Sequence, residues 1–184
     1  METSPILIAV PWKPTPTTHL WMTILSTVVA LVAGCVAFVI AFGGKDGMIT
    51  FDPVGLLVAL GLIIVSVVAH EGVHGLAIIA YRGRPTFGSG MAGKLLPYFC
   101  CTAPGQRFSI AQYAVVALAP TVVINVALVG GLLSSVPGWF VLPFAVHMAG
   151  CIGDWFLVVL AWRAPRGSLV EDMKDGLIIH KPAT

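Results

Sequence analysis

Four long apolar stretches constrain this chain more than any other feature, because each is long enough to cross a bilayer. They cover residues 20–42, 54–81, 108–133 and 139–162, and a membrane-spanning helix needs about 20 apolar residues. Only 10% of the residues are charged, against about 25% in a typical soluble domain. Such a chain cannot cover a water-facing surface. The sequence therefore predicts an all-α membrane protein, with one domain over residues 1–184 and four transmembrane helices in the lipid bilayer.

The connections between the stretches differ in length and composition. Residues 43–53 and 134–138 are short and predict tight links between neighbouring spans. The only long connection, residues 82–107, is rich in Gly and Pro, which predicts a short extended or hairpin-like element over the membrane face. The tail, residues 163–184, is polar, and we expect it to be mostly irregular.

The distribution of Lys and Arg predicts the orientation, because cytoplasmic loops of membrane proteins carry an excess of positive charge. Four spans place the N-terminus, the long connection and the tail on one side. That side carries every Lys and Arg except Lys45. We therefore expect a cell-membrane protein whose termini and long connection face the cytoplasm. A net charge of +2, with no basic run interleaved with aromatic residues, gives no reason to expect a nucleic-acid partner.

Two carboxylates and three imidazoles lie inside the spans and point to a functional site. They are the carboxylates Glu71 and Asp154 and the imidazoles His70, His74 and His147. An Asp at the centre of a transmembrane helix costs about 2.5–3.5 kcal/mol, and no Lys or Arg lies inside the spans to pair with either carboxylate. A bound divalent cation would satisfy carboxylates and imidazoles together.

The spacing of three of these residues predicts a metal site of the metallopeptidase type. His70, Glu71 and His74 form an H-E-x-x-H sequence in a helical context, and residues four apart lie on the same face of a helix. Glu71, beside them, is placed to take a proton from metal-bound water and return it to the leaving amine. Catalytic zinc usually has three protein ligands, and Asp154 is the only other carboxylate in the spans. We therefore predict one zinc ion, although such ligands also accept Fe, Co or Mn.

Other interpretations of the same residues remain open. A haem could be bound by His147 together with His70 or His74. His70 and His74 cannot bind the two sides of one haem, because they project from the same helix face. Asp154 could be hydrogen-bonded within the bundle, with His147 as the third ligand instead. His147 lies seven residues before Asp154, about 10 Å along a helix, which favours a place above or below the metal. If His147 is functional, it would contact the substrate or stabilise an oxyanion. The alternative is that it is a polar residue of the core. Asn125 has the same two interpretations, with helix packing favoured.

The four cysteines carry no metal-binding spacing. Cys35 and Cys151 lie in apolar runs, Cys100 and Cys101 are adjacent, and no C-x-x-C pair occurs. This pattern indicates neither a zinc ribbon nor a thioredoxin-like site. We expect reduced cysteines that act as small buried hydrophobic residues.

Several short motifs, in their order and spacing, resemble a known family. After the H-E-x-x-H-Gly sequence, the resemblance continues through the following pieces: Pro97-Tyr98, Cys101-Thr102-Ala103-Pro104-Gly105, Gln112-Tyr113, Leu118-Ala119-Pro120, Gly153-Asp154 and Leu169-Val170-Glu171-Asp172. Together they resemble the small membrane-embedded zincin peptidases, which are related in plan to the site-2 proteases. The resemblance extends from about residue 60 to the end of the chain.

The resemblance implies an intramembrane metalloprotease fold and a role for each matched residue. His70 and His74 would bind zinc, Glu71 would be the general acid and base, and Asp154 would complete the site. The chain departs from the pattern at two places. Gly153-Asp154-Trp155 stands where site-2 proteases carry an Asn- or Leu-containing Asp-Gly motif, and His147 stands where the closer family is expected to carry Asn.

The predicted function is zinc-dependent hydrolysis of peptide bonds within or near the membrane, with a membrane protein or peptide as substrate. In this hypothesis, zinc activates water and Glu71 transfers the protons. One alternative is a non-catalytic membrane protein whose metal is structural or binds a partner. A metal transporter is a third class. It would require a path of polar groups across several spans, and the first span has no charged residue or histidine.

Overall fold

The computed structural model describes residues 7–43, 52–92 and 96–183. Lys45 and most of the first short connection lie outside the described residues. Five helices are described: α1 (Pro16–Phe42), α2 (Pro53–Ala80), α3 (Ile110–Leu132), α4 (Gly138–Gly150) and α5 (Ile152–Trp162). Helices α1 and α2 begin at Pro16 and Pro53. Proline is favoured at the first position of a helix, because an N–H there would have no hydrogen-bond acceptor within the helix.

The described helices include four segments long and apolar enough to cross a membrane, as the sequence predicts. The fourth consists of α4 and α5, which are separated only at Cys151. Large apolar side chains on α1 and α2, such as Leu31 and Ile64, are exposed, and a bilayer would cover them. The structure thus has the helices of a multi-pass membrane protein, whereas its orientation and its cell-membrane location stay predictions.

The described residues are mostly helical, as predicted, but the prediction of an all-α chain is imprecise, because they also form six strands. They are β1 (Leu7–Trp12), β2 (Thr86–Ala92), β3 (Leu96–Thr102), β4 (Arg107–Ser109), β5 (Leu169–Met173) and β6 (Gly176–Pro182). Strands β2 and β3 form an antiparallel hairpin, which confirms the hairpin-like element predicted for the long connection. The other four form an antiparallel sheet in the order β1-β6-β5-β4.

Most of the tail, residues 163–184, therefore forms strands, and the prediction of a mostly irregular tail is wrong. Strands β5 and β6 pair through a tight turn at Gly176, whose φ of 141° favours glycine. Their side chains Val170, Leu177 and Ile179 are buried. Burial of these few apolar residues and pairing with β1 and β4 stabilise a segment whose overall polarity suggests a loop.

The chain divides into two compact units. The strand-bearing unit comprises Met1–His19, Glu71–Ala119 and Gly153–Thr184, and the helical unit comprises Leu20–His70 and Pro120–Ile152. Ile78, Phe108 and Val170 belong to the core of the strand-bearing unit. In the helical unit, a smaller core contains Ala37, Ala41 and Leu132. Every Lys and Arg among the described residues belongs to the strand-bearing unit. The single-domain assignment stays a prediction.

Candidate metal centre

A histidine and a carboxylate from different helices meet in the strand-bearing unit. His74 Nε2, on α2, lies 3.6 Å from Asp154 Oδ1, in the first turn of α5, and both side chains are largely buried. This distance is too long for a hydrogen bond. Two ligands of one tetrahedral zinc, each about 2.0–2.2 Å from the ion, would be about 3.4 Å apart. The spacing and donor types of His74 and Asp154 therefore fit a shared zinc ion.

The second ring nitrogen of His74 is held by the backbone of α3. His74 Nδ1 lies 2.9 Å from the carbonyl oxygen of Val116, and since a carbonyl only accepts, Nδ1 carries the proton. In an uninterrupted helix this carbonyl would accept the N–H of residue 120, but Pro120 has none. Because of Pro120, the Val116 carbonyl is available to accept the hydrogen bond from His74 Nδ1. This hydrogen bond leaves Nε2 of His74 unprotonated, and a neutral imidazole binds a metal through its unprotonated nitrogen.

Helix α2 also determines where His70 and Glu71 lie relative to His74. The helix runs without interruption from Pro53 to Ala80, so His70 precedes His74 by about one turn and lies on the same face. Glu71 lines a cavity of ≈ 140 Å³ in the strand-bearing unit together with His74 and Asp154. The predicted base and two of the predicted ligands therefore border the same cavity.

The β2–β3 hairpin packs against α2 beside the motif. A Cβ atom at Gly75 would lie 2.9 Å from Phe87 Cζ and 3.5 Å from Cys101 Sγ, so a larger residue than glycine would require the Phe87 ring to move. Cys100 and Cys101 contribute to the cavity wall. Burial raises the pKa of the Cys101 thiol to about 12, which makes this cysteine an unreactive wall residue.

Asp172, on β5, is a third carboxylate of the cavity and has no role in the site predicted from the sequence. It lines the cavity with Glu71, His74 and Asp154. Burial raises the pKa of Asp172 to about 7, and the carboxylates of Asp154 and Glu71 add to this rise. Asp172 belongs to the motif Leu169-Val170-Glu171-Asp172, but it lies outside the apolar spans, where a charged residue gives no sign of burial.

We expect Asp172 to make the metal-free protein less stable as the pH rises. Its pKa of about 7 is above the ordinary value of 3.8, so its contribution to stability is complete below pH ~4 and is lost as the pH rises through ~7. Thermal unfolding in detergent with EDTA at pH 5 and pH 8 measures this. Asp172→Asn should be more stable relative to wild type at pH 8 than at pH 5. An identical difference at the two pH values would contradict the assignment.

The helical unit contains a second group of polar residues. His70 Nδ1 lies 3.2 Å from His147 Nε2, and His147 Nδ1 lies 2.9 Å from Asn125 Oδ1. Cys151 Sγ is 3.8 Å from His147 Nδ1. His70, His147 and Cys151 are also close enough to offer ligand atoms to a metal, with all three atoms within 4.8 Å of one another. The structure thus connects His147 directly, and Asn125 through His147, to the first histidine of the motif.

Helices able to cross a membrane and a histidine–carboxylate donor set characterise a multi-pass membrane protein with a candidate metal site. In a comparison with known protein families, residues 63–169 match the family described as "Putative zincin peptidase". The match covers more than half of the chain, and the chain belongs to this family. No curated protein and no solved structure matches it. The family description implies zinc, and the matched range includes the motif and Asp154 but not Asp172.

Proposed function

We propose that this protein is an intramembrane zinc peptidase that hydrolyses peptide bonds of a membrane protein or peptide within or near the bilayer. The observation that carries the proposal is the 3.6 Å approach of His74 Nε2 and Asp154 Oδ1 beside a cavity that Glu71 also lines. Membership of the zincin peptidase family supports the reaction class. A relation to the site-2 proteases is part of the proposal.

One zinc ion would be held by His70, His74 and Asp154. The two histidines are one turn apart on α2, and three protein ligands are the usual number for catalytic zinc. When bound, the ion supplies Lewis acidity and lowers the pKa of water to about 7. The protein's own contribution is to orient the imidazoles and to supply a carboxylate ligand from the first turn of α5.

Glu71 would be the general base and then the general acid. As a carboxylate lining the cavity but not needed as a ligand, it can accept a proton from the attacking water at a carboxylate oxygen. The same oxygen would then return the proton to the nitrogen of the leaving amine as the peptide bond breaks. The decisive experiment measures peptide hydrolysis and zinc content together, in wild type and in Glu71→Gln.

The β2–β3 hairpin would present the substrate by strand addition. Each strand of a two-stranded sheet has one edge that the other does not pair, and an extended peptide can add to such an edge. Phe99, Cys100 and Cys101 of β3 line the same cavity as Glu71, so a peptide along the hairpin would pass close to the proposed site. Hydrolysis needs an extended substrate, and strand addition supplies that conformation.

Deleting residues 86–93 should therefore abolish or strongly reduce cleavage while leaving zinc bound, because none of the proposed ligands lies in the hairpin. Cleavage is measured as new N-termini in reconstituted membranes, and zinc by elemental analysis of the same preparation. Retained zinc serves as the folding control. Unchanged cleavage after the deletion would remove strand addition from the mechanism.

The second candidate function is a non-catalytic membrane protein with a structural metal. The observation that favours it is the His70–His147–Cys151 group, whose ligand atoms are close enough to bind an ion without Glu71. A structural site has no use for a carboxylate that is not a ligand. Zinc that is lost in Cys151→Ala but retained in Asp154→Ala would support this alternative.

A further inference from the structure

Two imidazoles and an amide form a hydrogen-bonded chain in the helical unit. His70 Nδ1 is 3.2 Å from His147 Nε2, and His147 Nδ1 is 2.9 Å from Asn125 Oδ1. The two rings meet edge to face, with centroids 5.3 Å apart. His147 is only 6% exposed, so bulk water has little access to the middle of the chain.

The chemistry of the three groups determines where the protons lie. An amide oxygen only accepts, so Nδ1 of His147 carries the proton and donates it to Asn125. A neutral imidazole has one N–H, so Nε2 of His147 accepts the hydrogen bond donated by Nδ1–H of His70. With its proton on Nδ1, His70 has its lone pair on Nε2. Cys151 Sγ, at 3.8 Å from His147 Nδ1, is a longer and weaker partner than the amide oxygen at 2.9 Å.

We propose that Asn125 and His147 are positioning residues that hold His70 in the tautomer whose Nε2 binds zinc. The inference rests on the proposed function, because it concerns His70 as a zinc ligand. Hydrogen bonds to the second nitrogen of a ligand histidine commonly fix its tautomer and raise its basicity. This role differs from both interpretations that the sequence left open for these residues, which were substrate or oxyanion contact and a polar residue in the helix packing.

His74 has the same tautomer, but a different hydrogen bond fixes it. Its Nδ1 donates to the Val116 carbonyl, which Pro120 leaves without a helical donor. One motif histidine is thus fixed by a backbone oxygen in the strand-bearing unit, and the other by side chains in the helical unit. Changes at His147 should therefore affect His70 and leave His74 as an internal reference.

The direct test measures tautomers in the metal-free, full-length protein. Labelling with ¹⁵N-histidine in detergent micelles at alkaline pH separates the two tautomers by their nitrogen shifts. We expect His70 and His74 to carry the proton on Nδ1 in wild type. His147→Leu removes the acceptor and should give a mixture at His70 alone, and Asn125→Leu should do the same. His147→Gln places an amide oxygen near the former Nε2 and should keep the wild-type tautomer.

The second readout is zinc affinity, measured by competition with a chelator. Loss of such a supporting hydrogen bond weakens metal binding by about 10–100-fold, so we expect this change for His147→Leu and an affinity close to wild type for His147→Gln. Cys151→Ala separates positioning from ligation. It removes a neighbour of His147 without breaking the chain, so it should bind zinc like wild type unless the metal occupies the His70–His147–Cys151 group.

Three outcomes would overturn the inference. One is a proton on Nε2 of His70 in the metal-free wild type, which would mean that the Asn125 amide is turned and donates instead. Another is an unchanged His70 tautomer in His147→Leu. The third is a loss of affinity in Cys151→Ala as large as in His147→Leu, which would make both residues ligands. A wild type that binds no zinc would refute the proposed function, whereas the tautomer measurement would still test the hydrogen-bonded chain.

Discussion

Replacing Glu71 by Gln should abolish peptide hydrolysis while the protein retains one zinc ion per chain. The amide has nearly the same size as the carboxylate but cannot accept a proton from water. A positioned general acid or base contributes about 10²–10⁴-fold to a rate, so we expect kcat to fall by at least that factor. The measurement pairs mass-spectrometric detection of new N-termini in reconstituted membranes with elemental analysis of zinc.

The control for this experiment is a carboxylate of equal charge that does not line the cavity. Asp175 lies in the turn between β5 and β6, with its side chain 61% exposed and 3.9 Å from Lys13 Nζ. Asp175→Asn should therefore cleave like wild type, since exposed substitutions of this kind change stability by only about 0.5 kcal/mol or less. Hydrolysis by Glu71→Gln at the wild-type rate would exclude Glu71 as the base.

Replacing His70, His74 or Asp154 by Ala should remove zinc from the purified protein. Each change deletes one of three proposed ligands. Loss of a supporting hydrogen bond weakens metal binding by about 10–100-fold, and we expect loss of a ligand to reduce the zinc affinity by more than that. Metal content per chain is the measurement, with helical circular dichroism in detergent as the folding control. Activity should disappear in all three variants.

The pattern across these variants separates the two possible donor sets. If zinc depends on His70, His74 and Asp154 but not on Cys151, the metal binds at the peptidase motif. If it depends on His70 and Cys151 but survives Asp154→Ala, the metal occupies the His70–His147–Cys151 group instead. The second result would contradict the peptidase assignment and favour a structural metal. The three alanine variants, together with Cys151→Ala, thus test the ligand set and not only the presence of metal.

The spans and the motif could be predicted from the sequence because both depend on local information. Whether a helix can cross a bilayer depends on about 20 consecutive residues, and α1 and α2 agree with the predicted spans to within a few residues. The spacing of His70 and His74 places them on one face of any helix that contains them. The hairpin was predictable for the same reason, since its two strands lie in one short connection.

The sheet depends on pairing between distant parts of the chain, and this is why the sequence led to an all-α prediction. Strand β6 pairs with β1 from the opposite end of the chain, and β5 pairs with β4 beside α3. Each strand has seven residues or fewer, too few for a clear periodic pattern. Their stability comes from partners that no local window includes.

The sequence by itself determined that this chain has four membrane-length helices and that one of them carries a histidine–glutamate–histidine motif. Only the tertiary structure decided which residues surround that motif. His74 and Asp154 lie 3.6 Å apart but belong to different helices. Asp172 reaches the same cavity from a strand. Asn125 and His147, from two further helices, form the hydrogen-bonded chain to His70. The physical reason is that hydrophobicity and helical spacing are properties of consecutive residues, whereas a donor set is a property of packing.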